Sequence, residues 1–182
     1  MRTNNVRTIA HIGWAEYGFS EKDRHCDQES IASMENEGIT VFNIPYPPSE
    51  KDKQILCQVD AINLSGGNPG ILRHLLRKTD LDRIIRERYA SGTHLIGASS
   101  GAIVLGSGTL IPTCMFAVKP TKESGISPLV SFGFMGIGMG LHPYSIVPHH
   151  GEAWMYLLAF LLSPLFLNLR IKLIPDEKFM II

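Results

Sequence analysis

The stretch Gly97-Ala98-Ser99-Ser100-Gly101-Ala102 carries the strongest local signal in this chain. A strand-like run, Thr93-His94-Leu95-Ile96, precedes it, and a helix-compatible run, Ala102-Ile103-Val104-Leu105, follows it. A G-x-S-x-G pattern between a strand and a helix is typical of a nucleophile elbow, which presents its central serine at the tip of a sharp turn. Glycines on both sides remove the Cβ atoms that so tight a turn would crowd. The pattern therefore predicts a strand, a turn that exposes Ser99, and a helix.

Ser99 is accordingly a candidate nucleophile. The first N–H groups of the helix that follows have no intrahelical acceptor and carry partial positive charge. Such groups can stabilise an oxyanion that forms beside the serine hydroxyl. Small residues also occur at strand-to-helix turns for packing alone, so the motif by itself leaves a purely structural interpretation open.

The alternation of strand-like and helix-like runs predicts an α/β fold with a doubly wound, mainly parallel sheet. Strands are expected at residues 7–14, 39–44, 60–64 and 93–96, and helices at 20–37, 49–57, after Pro69, and at 80–90. Functional sites in such sheets form where the strands end. The turn Ser65-Gly66-Gly67 and the Ser99 turn both follow predicted strands, so we expect them to face one crevice.

Composition narrows the class of protein. The 182 residues are expected to form a single domain over 1–182. Lys+Arg and Asp+Glu are both 17, so no basic excess favours nucleic acid. Three cysteines without a C-x-x-C pattern predict buried thiols, no metal site and a reducing, cytoplasmic compartment.

Residues 154–169 are almost wholly apolar. A membrane-spanning helix needs about 20 such residues, and Pro164 interrupts this run. We therefore predict a buried helix that ends near Ser163, then a buried strand, and no stable membrane insertion. A contact in a homodimer is the alternative use of this apolar surface. Further strands are predicted at residues 144–147, 169–174 and 179–182.

A serine hydroxyl needs a base, which is usually a histidine held by an acid. Among the seven histidines, His149 is best placed, because it follows the strand-like run 144–147 and so lies at a sheet edge. His150 is second, since adjacent residues of an extended chain point to opposite sides, and His142, in a Gly-rich turn, is third. The remaining four are expected to have structural roles on strands and helices: His11, His25, His74 and His94.

Three motifs in order extend the argument beyond the serine. They are Ile62-Asn63-Leu64-Ser65-Gly66-Gly67-Asn68, the Ser99 motif, and Gly140-Leu141 followed by Pro148-His149. Together they resemble the dipeptidase E family of serine peptidases, which includes cyanophycinase-like proteins. The resemblance covers the chain from about Val6 to the end. It implies a flavodoxin-like, class I glutamine amidotransferase-like fold.

By this resemblance Ser99 matches the nucleophile and His149 matches the base. The turn Ser65-Gly66-Gly67 is similar to the glycine-rich turn that lines the oxyanion hole, with one N–H from Gly66 or Gly67 and the other from Ser100. The resemblance implies hydrolysis of a small peptide through an acyl-enzyme, without a metal or organic cofactor. A true glutamine amidotransferase of this fold has cysteine at the position of Ser99, so glutaminase chemistry is disfavoured.

The acid of the triad is the residue that the motifs leave open. The resemblance implies an acid in the loop beyond the serine motif, but no Asp or Glu lies between Ala102 and Lys122. Glu123 is the nearest candidate, and Asp176 or Glu177 could serve if the last turn folds over the site.

Two further points concern substrate and class. An acidic peptide, which the resemblance implies, would need a cation beside the crevice, and Arg73 and Lys119 are candidates. The alternative to a hydrolase is a non-catalytic or weakly active relative that uses the crevice for binding. An α/β-hydrolase is disfavoured, since that fold needs a longer chain and its oxyanion motif is absent from the sequence.

Overall fold

The computed structural model describes residues 6–18, 26–107, 138–147 and 170–173. Its strands are β1 (Thr8–Ile12), β2 (Thr40–Asn43), β3 (Ala61–Leu64), β4 (His94–Gly97), β5 (Tyr144–Val147) and β6 (Arg170–Leu173). Its α-helices are α1 (Cys26–Asn36), α2 (Glu50–Leu56), α3 (Pro69–Lys78), α4 (Leu81–Ala90) and α5 (Ser100–Leu105), and a 3-10 helix, Trp14–Gly18, follows β1.

The strands β1 to β4 form a parallel sheet in the order β2-β1-β3-β4, and β5 pairs with β6 in a second parallel sheet. The chain moves from β1 to β2 on one side and then returns past β1 to β3 and β4. Crossovers between parallel strands are right-handed, so this reversal places α1 on one face and the helices after β2 on the other. The prediction of an α/β, doubly wound, mainly parallel sheet of flavodoxin-like strand order is confirmed.

The register brings the ends of the central strands to one level. Ile12 of β1 pairs with Leu64 of β3, and Leu64 pairs with Gly97 of β4. All four residues of β3 are buried, as expected for a central strand covered on both faces. The turns after β1, β3 and β4 therefore leave the sheet side by side, at what we call its carboxyl edge. The opposite side, where these strands begin, is the amino edge.

Local chemistry explains where the helices begin and end. Asn68 caps α3 by accepting a hydrogen bond from the Ile71 N–H at 3.1 Å, and Pro69 opens the helix. The buried side of α3 consists of the apolar residues with helical spacing, together with Pro69, Gly70 and one arginine: Ile71, Leu72, Arg73, Leu75 and Leu76. Ser49 and Asp52 form a capping box at α2.

Several predicted boundaries need correction. The first strand ends at Ile12 rather than Trp14, because Trp14 turns inward and its indole N–H donates to the Ile44 carbonyl at 2.9 Å. Cys57, which we predicted to be buried, is an exposed free thiol. The other predicted strands and helices from residue 26 to residue 105 are confirmed to within a few residues.

Other predictions lie outside the described residues. These are the start of the first helix before Cys26, the apolar helix at 154–163 and the strand at 179–182. The described helices are all too short to cross a bilayer.

Candidate active site

Ser99 is the second of the two residues between β4 and α5, and its backbone is strained. Its φ is 46° and its ψ is −106°, outside the allowed regions for an L-residue. Such conformations cost about 1–3 kcal/mol and persist only where the surroundings impose them. Because strained residues of this kind concentrate at functional sites, the backbone itself marks Ser99 as a candidate.

The close approach of α5 to the sheet imposes this turn. A Cβ at Gly97 would lie 2.6 Å from the Ala102 nitrogen, and a Cβ at Gly101 would overlap the Leu64 carbonyl. Both positions therefore require glycine. Hydrogen bonds then fix the turn to the end of β3, from Ala98 N–H to Leu64 O at 3.0 Å and from Gly101 N–H to Ser65 O at 3.0 Å.

The turn between β3 and α3 also packs against the 3-10 helix that follows β1. Gly67 has a φ of +129°, and a Cβ there would overlap the carbonyl of Ala15 in the 3-10 helix after β1. The N–H of the next residue, Asn68, donates to that same carbonyl at 2.9 Å. The 3-10 helix, the Gly66-Gly67 turn and the Ser99 turn therefore meet at the carboxyl edge.

The two turns contact each other directly. An added Cβ at Gly66 would lie 3.5 Å from the Ser99 Cβ, and the buried Ser100 hydroxyl donates a hydrogen bond to the Gly67 carbonyl. The structure thus brings together four of the predicted site residues: Ser99, Gly66, Gly67 and Ser100. His149 and Glu123 lie outside the described residues.

The two turns carry unused backbone donors. Within the described part of the chain, the N–H groups of Gly66, Gly67 and Ser100 donate no hydrogen bond. The same part holds no group of three or more side chains that could bind a metal ion. Beside the Ser99 side chain, this edge therefore offers backbone donors, which suit a negatively charged oxygen.

His142, the third candidate for the base, lies away from Ser99. Its neighbours bond to the far end of α5, with Met139 N–H on Val104 O at 2.6 Å and Leu141 N–H on Leu105 O at 3.1 Å. Ser99 precedes the first residue of α5, so the length of that helix separates the two. His142 Nδ1 accepts a hydrogen bond from the Tyr144 N–H at 3.3 Å.

Two histidines have the structural setting that we predicted. His11 is buried on β1, and its Nδ1 lies 2.9 Å from the side-chain nitrogen of Asn63, its neighbour on β3. His74 lies within α3, where partial burial lowers its pKa and the nearby charge of Lys78 lowers it further.

The prediction of Arg73 as a substrate-binding cation is wrong. Its side chain is only 4% exposed, and its Nη1 lies 2.8 Å from the Asp82 carboxylate on α4. Burial lowers the pKa of the Arg73 guanidinium, and the Asp82 charge opposes that shift. The arginine therefore joins α3 to α4. Lys119, the other candidate, lies outside the described residues.

Comparison with known proteins agrees with these features. The model of peptidase family S51 matches residues 10–158. Peptidase E of Haemophilus influenzae is 28% identical over 143 residues, which cover 79% of this chain and 58% of that protein. The uncharacterized peptidase YgaJ of Bacillus subtilis is 32% identical over 104 residues, which cover 57% of this chain and 38% of that protein. The chain thus spans from about two fifths to three fifths of these relatives' length.

Solved structures show the same fold. A candidate peptidase E from Listeria monocytogenes EGD-e superimposes with a TM-score of 0.71 at 18% identity, covering 100% of this chain and 88% of that one. A peptidase from an acI-B1 Actinobacterium gives a TM-score of 0.67 at 20% identity, covering 98% and 71%. With the match over residues 10–158, the chain belongs to peptidase family S51.

Proposed function

We propose that this chain is a serine peptidase that hydrolyses small peptides through a Ser99 acyl-enzyme. The observation that carries the proposal is the strained backbone of Ser99 beside the N–H groups of Gly66, Gly67 and Ser100, which donate no hydrogen bond within the described residues. A nucleophile elbow beside an oxyanion hole has this arrangement. Family S51 membership and relatives named peptidase E support the same reaction class.

The mechanism assigns one task to each group. The Ser99 hydroxyl attacks the scissile carbonyl while His149 accepts its proton, and the carbonyl oxygen becomes an oxyanion. The N–H of Ser100 and an N–H of Gly66 or Gly67 stabilise that oxyanion. His149 then protonates the leaving amine, and the acyl-enzyme remains. A water molecule, deprotonated by His149, releases the acid product and restores the hydroxyl.

The path of the chain supports His149 as the base. β5 begins beside the far end of α5, where the Ser107 N–H donates to the Tyr144 carbonyl at 3.1 Å. From residue 144 to residue 149 an extended chain covers about 16 Å. The six residues of α5 span about 9 Å. A chain that continues β5 is therefore long enough to return to the level of Ser99.

The register of the second sheet bears on the acid. Val147 of β5 pairs with Leu173 of β6, so the two strands end side by side. His149 follows the first strand by two residues, and Asp176 follows the second by three. This supports Asp176, with Glu177 beside it, as the partner of the base, and Glu123 stays the other candidate.

Covalent labelling with a fluorophosphonate tests the proposal. The wild-type chain should be labelled, with the modified peptide containing Ser99, and Ser99→Ala should abolish labelling. Ser91→Ala, which removes an exposed hydroxyl at the end of α4, should be labelled as the wild type is. Absence of Ser99-dependent labelling would contradict the proposal and favour the alternative, a non-catalytic domain that binds ligands in the crevice.

Single variants then identify the acid. Replacing the acid of a triad by its amide lowers the rate by about 10⁴-fold in a well-studied serine protease. We expect a loss of several orders of magnitude in labelling rate for Asp176→Asn, and little change for Glu123→Gln and Glu177→Gln. A large loss confined to Glu123→Gln would assign the role to Glu123 instead.

The cellular compartment and the oligomeric state also belong to the proposal. An exposed thiol at Cys57 supports a reducing compartment such as the cytoplasm. A homodimer is also proposed, and sedimentation of the purified chain at several concentrations would distinguish it from a monomer.

A further inference from the structure

The Ser100 side chain has a role in the site that its backbone does not explain. Ser100 is 2% exposed, and its hydroxyl donates a hydrogen bond to the Gly67 carbonyl, 33 residues earlier in the chain. The bond joins the residue after the proposed nucleophile to the glycine turn after β3.

This bond completes the restraint of one peptide group. In the peptide between Gly67 and Asn68, the carbonyl accepts from the Ser100 hydroxyl, and the N–H donates to the Ala15 carbonyl at 2.9 Å. With both its polar groups bonded, the plane of this peptide cannot rotate without breaking a hydrogen bond. The Gly67 N–H belongs to the adjoining peptide group, so this restraint limits the directions that it can take.

The turn needs such a restraint because two adjacent glycines have little conformational preference of their own. Oxyanion stabilisation depends on donors that are already aimed at the developing charge, so a donor that wanders contributes less. A displacement of about 1 Å in a catalytic group can cost a factor of about 100 in rate.

We propose that Ser100 is a positioning residue, whose hydroxyl holds the Gly66-Gly67 donors at a fixed distance from its own N–H. It thereby sets the geometry of both halves of the oxyanion hole. The inference rests on the proposed function. It predicts that the hydroxyl matters for stabilising the transition state and little for binding the substrate.

The test separates these two quantities with a fluorophosphonate, whose reaction with Ser99 also develops negative charge on an oxygen. For Ser100→Ala we expect the maximal labelling rate to fall by about tenfold to a hundredfold, with the concentration for half-maximal rate unchanged. Ser100→Thr keeps the hydroxyl and should recover most of the rate. Ser91→Ala is the matched control. The Ser91 hydroxyl also donates to a backbone carbonyl, that of Arg88 at 2.8 Å, but it lies far from the site.

The outcomes are distinguishable. If Ser100→Ala is labelled at the wild-type maximal rate, the inference is wrong while the proposed function stands. If thermal unfolding shows that Ser100→Ala and Ser100→Thr lose stability and labelling in parallel, the hydroxyl has a merely structural role, and the inference is overturned. If the wild type is not labelled at Ser99, the proposed function fails and the inference fails with it.

Discussion

The amino edge and the carboxyl edge of the same sheet use their polar groups in opposite ways. At the amino edge the Asp60 carboxylate accepts hydrogen bonds from the N–H groups of Arg7 at 3.0 Å and Thr8 at 2.9 Å, and from the Thr8 hydroxyl at 2.8 Å. Arg88 donates from Nη2 to the Val59 carbonyl at 3.0 Å. These contacts join polar groups of the amino edge to one another, although the buried Arg88 Nε has no hydrogen-bond partner within the described residues.

At the carboxyl edge the backbone is strained, and donors are left open. Ser99 has a positive φ, and the N–H groups of Gly66 and Gly67 donate no hydrogen bond within the described residues. Both edges belong to the same strands in the same register, so the contrast arises in the turns. Open donors and strain cost stability, and proteins retain them where function requires them. We infer that the carboxyl edge is organised around reactivity and the amino edge around stability.

The largest contrast should appear when alanine replaces one glycine at each edge. Gly67 and Gly92 both have positive φ, but a Cβ would overlap the Ala15 carbonyl at Gly67 and would meet nothing within 4 Å at Gly92. Gly67→Ala should lower the free energy of unfolding by more than about 3 kcal/mol, and Gly92→Ala by about 1 kcal/mol. Urea denaturation measures both, and equal losses would refute the tight packing at the carboxyl edge.

A smaller effect on stability, but a clear effect on reactivity, is expected at Gly66. An added Cβ there would lie 3.5 Å from the Ser99 Cβ and 3.9 Å from the Ala98 carbonyl oxygen, which are ordinary contacts. Gly66→Ala should therefore fold with nearly unchanged stability. The methyl group would crowd the nucleophile, so the rate of fluorophosphonate labelling should fall by about tenfold or more. Gly92→Ala is the control for labelling, and an unchanged rate in Gly66→Ala would separate this glycine from the reaction.

The sequence predicted those parts of this contrast that depend on residues close together in the chain. The position of Ser99 in the turn was predictable, because a tight strand-to-helix turn requires glycines and the sequence has them on both sides of the serine, at Gly97 and Gly101. The parallel sheet followed from the order of strands and helices. The sequence also placed Gly66 and Gly67 near Ser99, since the ends of adjacent parallel strands meet at one edge.

Features that join distant segments were not predictable in this way. The bond from Ser100 to Gly67 depends on how α5 packs, and a serine at that position signals only a small residue. Arg73 looked like a free cation because its partner, Asp82, belongs to the next helix. Trp14 lies outside the strand in which we predicted it, because its indole N–H donates to the Ile44 carbonyl, 30 residues further along the chain. In each case tertiary contacts settled what the local pattern left open.

The smallest effect is expected at the amino edge and depends on pH. Hydrogen bonds from the Arg7 N–H, then from the Thr8 hydroxyl and N–H, lower the pKa of Asp60 below its usual value of 3.8. A lowered pKa in the folded state means that the carboxylate stabilises the fold above about pH 4, and that this contribution disappears as the pH falls further. The stability difference between the wild type and Asp60→Asn should therefore shrink between about pH 6 and about pH 3.

Urea midpoints at the two pH values measure this difference. Glu37→Gln is the control, since Glu37 is exposed and its side chain makes no hydrogen bond within the described residues. A difference for Asp60→Asn that stays constant with pH would contradict the role of these hydrogen bonds at the amino edge.

Substituting glycine for the strained serine probes both halves of the contrast at once. In Ser99→Gly the backbone strain is relieved, so the variant should unfold at a higher temperature, by an amount equivalent to about 1 kcal/mol, while labelling is abolished. Ser91→Gly, at a residue with φ of −88°, should lose stability and keep its labelling. If Ser99→Gly proves less stable than the wild type, or is still labelled, then strain at the carboxyl edge does not serve a reactive serine.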